Sequence, residues 1–218
     1  MSAEKRDEKS EETTDSGWKG FFIVLAVVVL IGAAFVATSY FIRHEQEKST
    51  HLVYNNFDFY KNVDGFWTTT VMIGKQPVII PSYTVPPDLV NISYDDNITR
   101  HVYQRSQFGG NIRIIMDPSY PSSAVIAFTE IKRVTQGIFG INTSAGYYLI
   151  DGPAENATYD LPVLSCKNAS ISHSIIWLKV SNRTEASMIH NCIILEAPSA
   201  EELVSTADLL TYKLLKIM

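Results

Sequence analysis

Three patterns of apolar and polar positions divide the chain. The first is an unbroken apolar run from Gly20 to Ile42, GFFIVLAVVVLIGAAFVATSYFI, with no charge in its twenty-three positions. A bilayer core of about 30 Å takes about 20 apolar residues as helix, so the run predicts a transmembrane helix over 20–42. Trp18 at one end and Tyr40 and Phe41 at the other suit the two interfaces, and Lys19 and Arg43 close the run. The apolar core of a secretory leader is shorter, about 7–15 residues, and ends in small residues, so this run reads as a signal-anchor.

The second pattern is a series of short runs rich in aromatic and β-branched residues, broken by turn residues. Phe57–Tyr60, Phe66–Ile73 and Val78–Ile80 predict a three-stranded meander, with Asn62-Val63-Asp64-Gly65 and Gly74-Lys75 between them. Residues 81–100, with Pro81, Pro86 and Pro87, read as an exposed loop. Ile112–Met116 predicts a strand stopped by Asp117-Pro118, and Ser122-Ser123 opens a helix, or equally a strand, through Val134. Residues 135–160, with four glycines, read as loop. Leu161–Leu164, Ser174–Val180 and Cys192–Leu195 predict strands, the last two joined as a hairpin around Asn182-Arg183.

The third pattern closes the chain. Leu203, Ala207, Leu210, Leu214 and Ile217 fall at spacings of 4, 3, 4 and 3, one stripe of an amphipathic helix. Ser199-x-x-Glu202 before it has the form of a capping box. The fold class is therefore α/β in the α+β sense: a mixed or antiparallel sheet with a C-terminal amphipathic helix packed on it, behind one N-terminal transmembrane helix. The organisation is a disordered cytoplasmic tail over 1–19, the span over 20–42, a stalk over 43–51 and an extracytoplasmic domain over 52–218.

Orientation comes from local motifs. N-x-[ST] occurs at Asn91, Asn97, Asn142, Asn156, Asn168 and Asn182, never with proline in the middle, and never before the span. Chance would place about two such sites in the region. Glycan transfer occurs on the non-cytoplasmic face, so these asparagines predict N-linked glycans and a domain lying outside. Cys166 and Cys192 are the two cysteines, and an even count in an oxidising compartment predicts a disulfide. A tetrahedral zinc site from both cysteines with His173 and His190 is a rival, although C-x6-H-x16-H-x-C lacks the paired spacing of structural zinc.

Charge excludes one class of partner. The net charge is −5, with −2 in residues 1–19 and −3 in residues 43–218, so no basic face recruits nucleic acid. No phosphate-cradling, zinc-protease or nucleophile-elbow motif is present. Gly109-Gly110 reads as a turn. Asp88, Asp95 and Asp96 offer oxygens to a hard cation, but more simply form a solvated loop. The aromatic residues of 57–67 offer a stacking platform, but more simply a sheet core. A hydrolytic triad would have to draw on His101, His173 or His190. No cofactor, metal or catalytic residue is assigned.

YNNFDFYK (54–61), GFWTT (65–69), NATYDLPVLSC (156–166) and the ending CIILEAPSAEELVSTADLLTYKLLKIM (192–218) resemble uncharacterised single-pass envelope proteins of archaea. The resemblance implies a cell-surface setting and brings no activity. The expected function is a plasma-membrane surface glycoprotein serving as a binding or assembly subunit with a protein partner. A membrane-anchored hydrolase of envelope polymers is the alternative. A sensor ranks last because the predicted cytoplasmic tail is short.

Overall fold

The computed structural model describes residues 15–149 and 160–218; within the first helix the described side chains are those of 22–38 and Thr50. The chain divides into two units, 1–49 and 50–218. The described part of the first is a helix, α1, over Asp15–Thr50. It begins inside the predicted tail and runs through the predicted stalk, so 43–50 is helical. His51 already belongs to a strand. The described side chains of α1 are all exposed, with Leu30, Phe35 and Val36 each about 70 % so. Thr38 donates its hydroxyl to Ala34 O at 2.9 Å, satisfying it within the helix. Among the described residues no helix is long and apolar enough to cross a membrane. The ends of the predicted span, 20–21 and 39–42, lie outside the described side chains.

The second unit holds two sheets. The smaller is a four-stranded antiparallel meander of β1 (His51–Tyr54), β2 (Phe57–Lys61), β3 (Trp67–Ile73) and β4 (Gln76–Ser82). The β1–β2 turn is Asn55-Asn56, both at positive φ, the backbone that matches strand twist in a two-residue hairpin. β4 is an edge strand that resists pairing. Pro77 and Pro81 sit two residues either side of Ile79 and lack an N–H, so Ile79 carries the one donor among these three edge-facing positions. Arg133 also donates to Pro81 O at 2.8 Å.

The larger sheet has six strands in the order β5-β9-β10-β8-β6-β7. These are β5 (Ser93–Tyr94), β6 (Asn111–Met116), β7 (Asn142–Tyr147), β8 (His173–Val180), β9 (Glu185–Ile189) and β10 (Cys192–Ala197). β10, β8, β6 and β7 run parallel, and β9 pairs antiparallel with β10. The predicted hairpin of 174–180 with 192–195 is therefore corrected. Those strands are parallel neighbours, and β9 supplies the reversal between them. The expected loop over 81–100 contains a short helix, α2 (Pro86–Leu89), then β5 and the start of α3 (Asn97–Phe108). α4 (Ser122–Lys132) is helix as one reading had it, and continues as a π-turn over Arg133–Ile138. Leu161–Leu164 is no strand. It contributes a single bridge, Val163 to Tyr147, before a 3-10 turn at Cys166–Asn168.

The C-terminal helix, α5 (Glu202–Leu214), lies between the two sheets. Its predicted stripe of Leu203, Ala207, Leu210 and Leu214 is buried toward the larger sheet with Ile176, Leu178, Ile193 and Leu195. Its other flank, Leu209 and Tyr212 with Leu215 and Ile217 beyond, is buried in the meander with Phe59, Val71 and Ile80. Lys216 takes φ 57, and Ile217 N–H reaches back to Tyr212 O at 2.9 Å, which ends the helix and turns Ile217 into that core. Ser199 Oγ accepts the Glu202 N–H at 3.2 Å, the forward half of the expected box.

The opposite face of the larger sheet is covered by a chain segment instead of a helix. Ile115, Ile175, Cys192 and Ile194 pack beneath Tyr148, Leu164 and Cys166. Cys166 and Cys192 form a disulfide that fastens this cover; the zinc alternative, which needed both thiols, is thereby overturned. Gly146 lets the cover approach: an added Cβ would sit 3.1 Å from Ile115 Cγ2, Leu164 Cδ1 and Pro162 O. Gly146→Ala is expected to destabilise by about 1–2 kcal/mol through overpacking, read from the urea midpoint. A neutral result would mean that the cover shifts freely.

Candidate functional site

His101, one of the three histidines considered for catalysis, is drawn into a constellation. It lies on the inner face of α3 with Ile98 and Val102 and is 8 % exposed. Asp95, just before the helix, accepts the Asn97 N–H at 2.9 Å and so caps its first turn. His101 Nε2 lies 2.7 Å from Ser174 Oγ at the start of β8. One turn on, Arg105 directs Nε at the same ring nitrogen from 3.5 Å. With two potential donors facing Nε2, the neutral ring carries its proton on Nδ1. Burial, reinforced by the Arg105 charge, lowers the His101 pKa, so the ring is neutral at pH 7.

This pair lacks the exposed nucleophile that the expected triad would use. Ser174 is fully buried, so its hydroxyl meets no substrate. No carboxylate hydrogen-bonds to His101 among the described residues. His173 is exposed and contacts Ser172 through Nδ1 at 2.8 Å, while His190, also exposed, sits at φ 54 in the β9–β10 turn. The three histidines are therefore not gathered into one cleft.

Beside His101 opens a cleft of about 370 Å³ lined by Arg105, Gln104, Asn191, Phe108 and Ile171. It lies at the N-terminal ends of β6, β8 and β10. Nucleotide cofactors of open α/β sheets occupy the opposite, C-terminal ends. A second hollow, about 410 Å³, is mainly apolar, with Lys216 at its edge. Val71, Met72 and Ile73 of the meander face Tyr103, Phe139 and Leu215 across it. Tyr103 closes its floor by donating to Leu214 O at 2.8 Å and meeting Phe139 edge-on at 5.3 Å.

The meander's outward face continues from that hollow. Val53, Tyr60, Met72 and Ile79 are each 55–66 % exposed on it. Thr70 pairs with Ile79 and Met72 with Pro77, so the β3–β4 half of this face is uncharged. Asp58 pairs with Val53 in the same outward row as Thr70 and Ile79 and contacts His51 at 2.9 Å, so the β1–β2 half of the face carries charge. The proposed aromatic platform is mostly core: Phe59 is fully buried and Phe57 and Trp67 pack on its cluster, leaving Tyr60 outside.

Of the six sequon asparagines, Asn91, Asn97, Asn142, Asn168 and Asn182 are exposed, and Asn156 lies outside the described residues. None falls in the meander. Asp95 is occupied by Asn97, through both its N–H and its carboxamide at 2.9 Å. No group of three or more acidic, His or Cys side chains is placed to hold a metal among the described residues.

A buried polar cluster joins the two sheets and had no sequence signature. Asp208 on α5 is fully buried, and its Oδ2 accepts the N–H groups of Tyr83 and Thr84 at 2.9 and 2.8 Å. Its Oδ1 has no partner. Burial pushes the carboxyl up to about 7, against the pull of those two N–H bonds and with a push from Glu130. Glu130, raised by burial, is held by Arg133. Tyr212 donates its hydroxyl to Thr84 O at 2.7 Å and meets the Ser82 hydroxyl. This knot fixes the exit of β4 against α5. No family model, no curated protein and no solved structure matches the chain.

Proposed function

We propose that the chain is a single-pass surface glycoprotein of the plasma membrane, with its N-terminus cytoplasmic and its α/β domain outside. Its outer domain acts as a binding or assembly subunit. Three observations support the setting. Over residues 22–38 α1 carries no charge on any face and every described side chain is exposed, a surface that needs an apolar solvent. The domain carries a disulfide, which persists outside a reducing cytosol. Its described sequon asparagines face solvent.

The observation that carries the binding role is the meander's outward face. It exposes Met72 and Ile79 on uncharged rows, with Val53 and Tyr60 beside the His51–Asp58 pair, carries no sequon, and follows α1 in the chain with no loop residue between Thr50 and His51. The partner that fits is the extracytoplasmic part of a neighbouring membrane protein offering an apolar, unglycosylated face. Hydrolysis of envelope polymers, the alternative, has less support because Ser174 beside His101 is sealed.

The test is native-membrane purification of the full chain with Met72→Asp and Ile79→Asp compared with wild type. The wild-type protein is expected to hold one stoichiometric partner. Each variant is expected to lose it by about tenfold or more in affinity, as for a buried apolar anchor, with the melting temperature unchanged. A partner retained by both variants would remove this face from consideration. A wild-type chain that purifies alone would overturn the subunit reading.

A further inference from the structure

The geometry points to the Arg105 cleft as a binding site for a carboxylate carried on an apolar group. This does not rest on the meander reading, because the cleft lies on α3 and the β9–β10 turn. Arg105 is partly buried, and the resulting desolvation lowers its pKa. It has no carboxylate within ion-pair distance among the described residues. Its contacts are long and neutral: Nε to His101 Nε2 at 3.5 Å, and Nη2 to Ser170 O at 3.4 Å and Asn191 Oδ1 at 3.3 Å. Good N–H···O bonds lie at about 2.7–3.2 Å, so the guanidinium is positioned but poorly satisfied. Nη1 has no acceptor among these contacts, which leaves two N–H donors for a ligand.

The surroundings choose the ligand. Asn191 accepts from Arg105 through Oδ1, so its NH2 is turned elsewhere as a further donor. Gln104 lines the same cleft and is exposed. Phe108 and Ile171, at 84 % and 85 % exposure, form an apolar rim with no packing role of their own. Arg105 is the single full charge among the lining residues at neutral pH, which matches one carboxylate and falls short of a doubly charged phosphate. Gly110 makes room for this arrangement. At φ 137 it passes under the arginine, where a Cβ would lie 3.0 Å from Arg105 Cδ.

The test uses the full-length protein in detergent and calorimetric titration with a hexapeptide ending in a free Ala-Leu carboxylate. Its C-terminal amide, N-acetyl-leucine and inorganic phosphate are titrated alongside. The free acid is expected to bind at least about tenfold tighter than the amide, since a charge-assisted bidentate pair is lost in the latter. Arg105→Gln is expected to abolish that difference and Arg105→Lys to keep part of it, with the Ile79→Asp variant unaffected. Peptide and N-acetyl-leucine arms separate the sources. Tighter peptide binding assigns a protein C-terminus, and equal binding assigns a free acyl amino acid, and both uphold the carboxylate. Equal affinity for acid and amide in the wild type, or phosphate as the tightest ligand, overturns the proposal. The wild-type comparison stands even if Arg105→Gln fails to fold.

Discussion

The double variant Cys166→Ala/Cys192→Ala is expected to lose about 3–4 kcal/mol of folding stability. The bridge closes a loop with a sequence separation of 26. In the chain-entropy account a loop of that size restricts the unfolded chain by about 3.5 kcal/mol. For a domain of this size that corresponds to a fall in melting temperature of roughly 10 °C. The loss should not be spread evenly. The bridge fastens the cover over Ile115, Ile175, Ile194 and Trp177, on the face of the larger sheet away from α5. Hydrogen exchange in β8 and β10 should therefore rise more than in α5, whose burial between two sheets does not depend on the bridge. Chemical unfolding of wild type with and without reductant, beside the double variant, gives the measurement. A loss below about 1 kcal/mol would show that packing alone holds the cover.

Asp208 carries the second large effect, and it has a sign. The buried carboxyl titrates at about 7 against a usual 3.8. Its folded pKa is raised, so the folded state holds the proton more tightly than the unfolded chain between these values. Its contribution to stability is fully present below pH 4 and is lost as pH rises through 7. The span of about three pH units corresponds to about 4 kcal/mol. Asp208→Asn keeps an oxygen for the N–H groups of Tyr83 and Thr84 and cannot ionise. It should flatten that slope and exceed wild type at pH 8 by about 1–3 kcal/mol, after the cost of placing an NH2 where Oδ1 lacks a partner. Asp208→Ala strands both buried N–H groups and should lose about 2–4 kcal/mol even at pH 5. Urea unfolding from pH 5 to 8, taken as wild type minus Asp208→Asn, cancels groups common to both. Glu130 is the coupled neighbour to watch. Parallel pH profiles for the two proteins would mean that Asp208 ionises normally.

The sites differ in how readily the chain betrays them. His101 and Arg105 stand one turn apart in a segment whose buried apolar positions are Ile98 and Val102 alone, and its first turn falls in the loop predicted over 81–100. A signal was there: Asp95 ahead of Asn97 is a helix-starting pair, and Ile98 and Val102 share a face at i, i+4. Asn191 is placed beside Arg105 by the reversal between β9 and β10, and no local spacing announces that neighbour.

What the sequence determined by itself was local. The uncharged run over 20–42, the acceptor motifs, the paired cysteines and the 4-3-4-3 stripe each lie within a short window, where side-chain chemistry and helical period suffice. Tertiary structure alone decided that β8 and β10 are parallel, because pairing joins strands across an intervening β9 whose pattern in Glu185–Ile189 is weak. It alone decided that α5 is covered on two sides. Periodicity marks the stripe facing one sheet, while Leu209 and Tyr212 are buried only because a meander more than a hundred residues earlier folds back onto them. Asp208 follows from the same cause: a carboxylate on the expected solvent side of an amphipathic helix loses its water when a second sheet arrives.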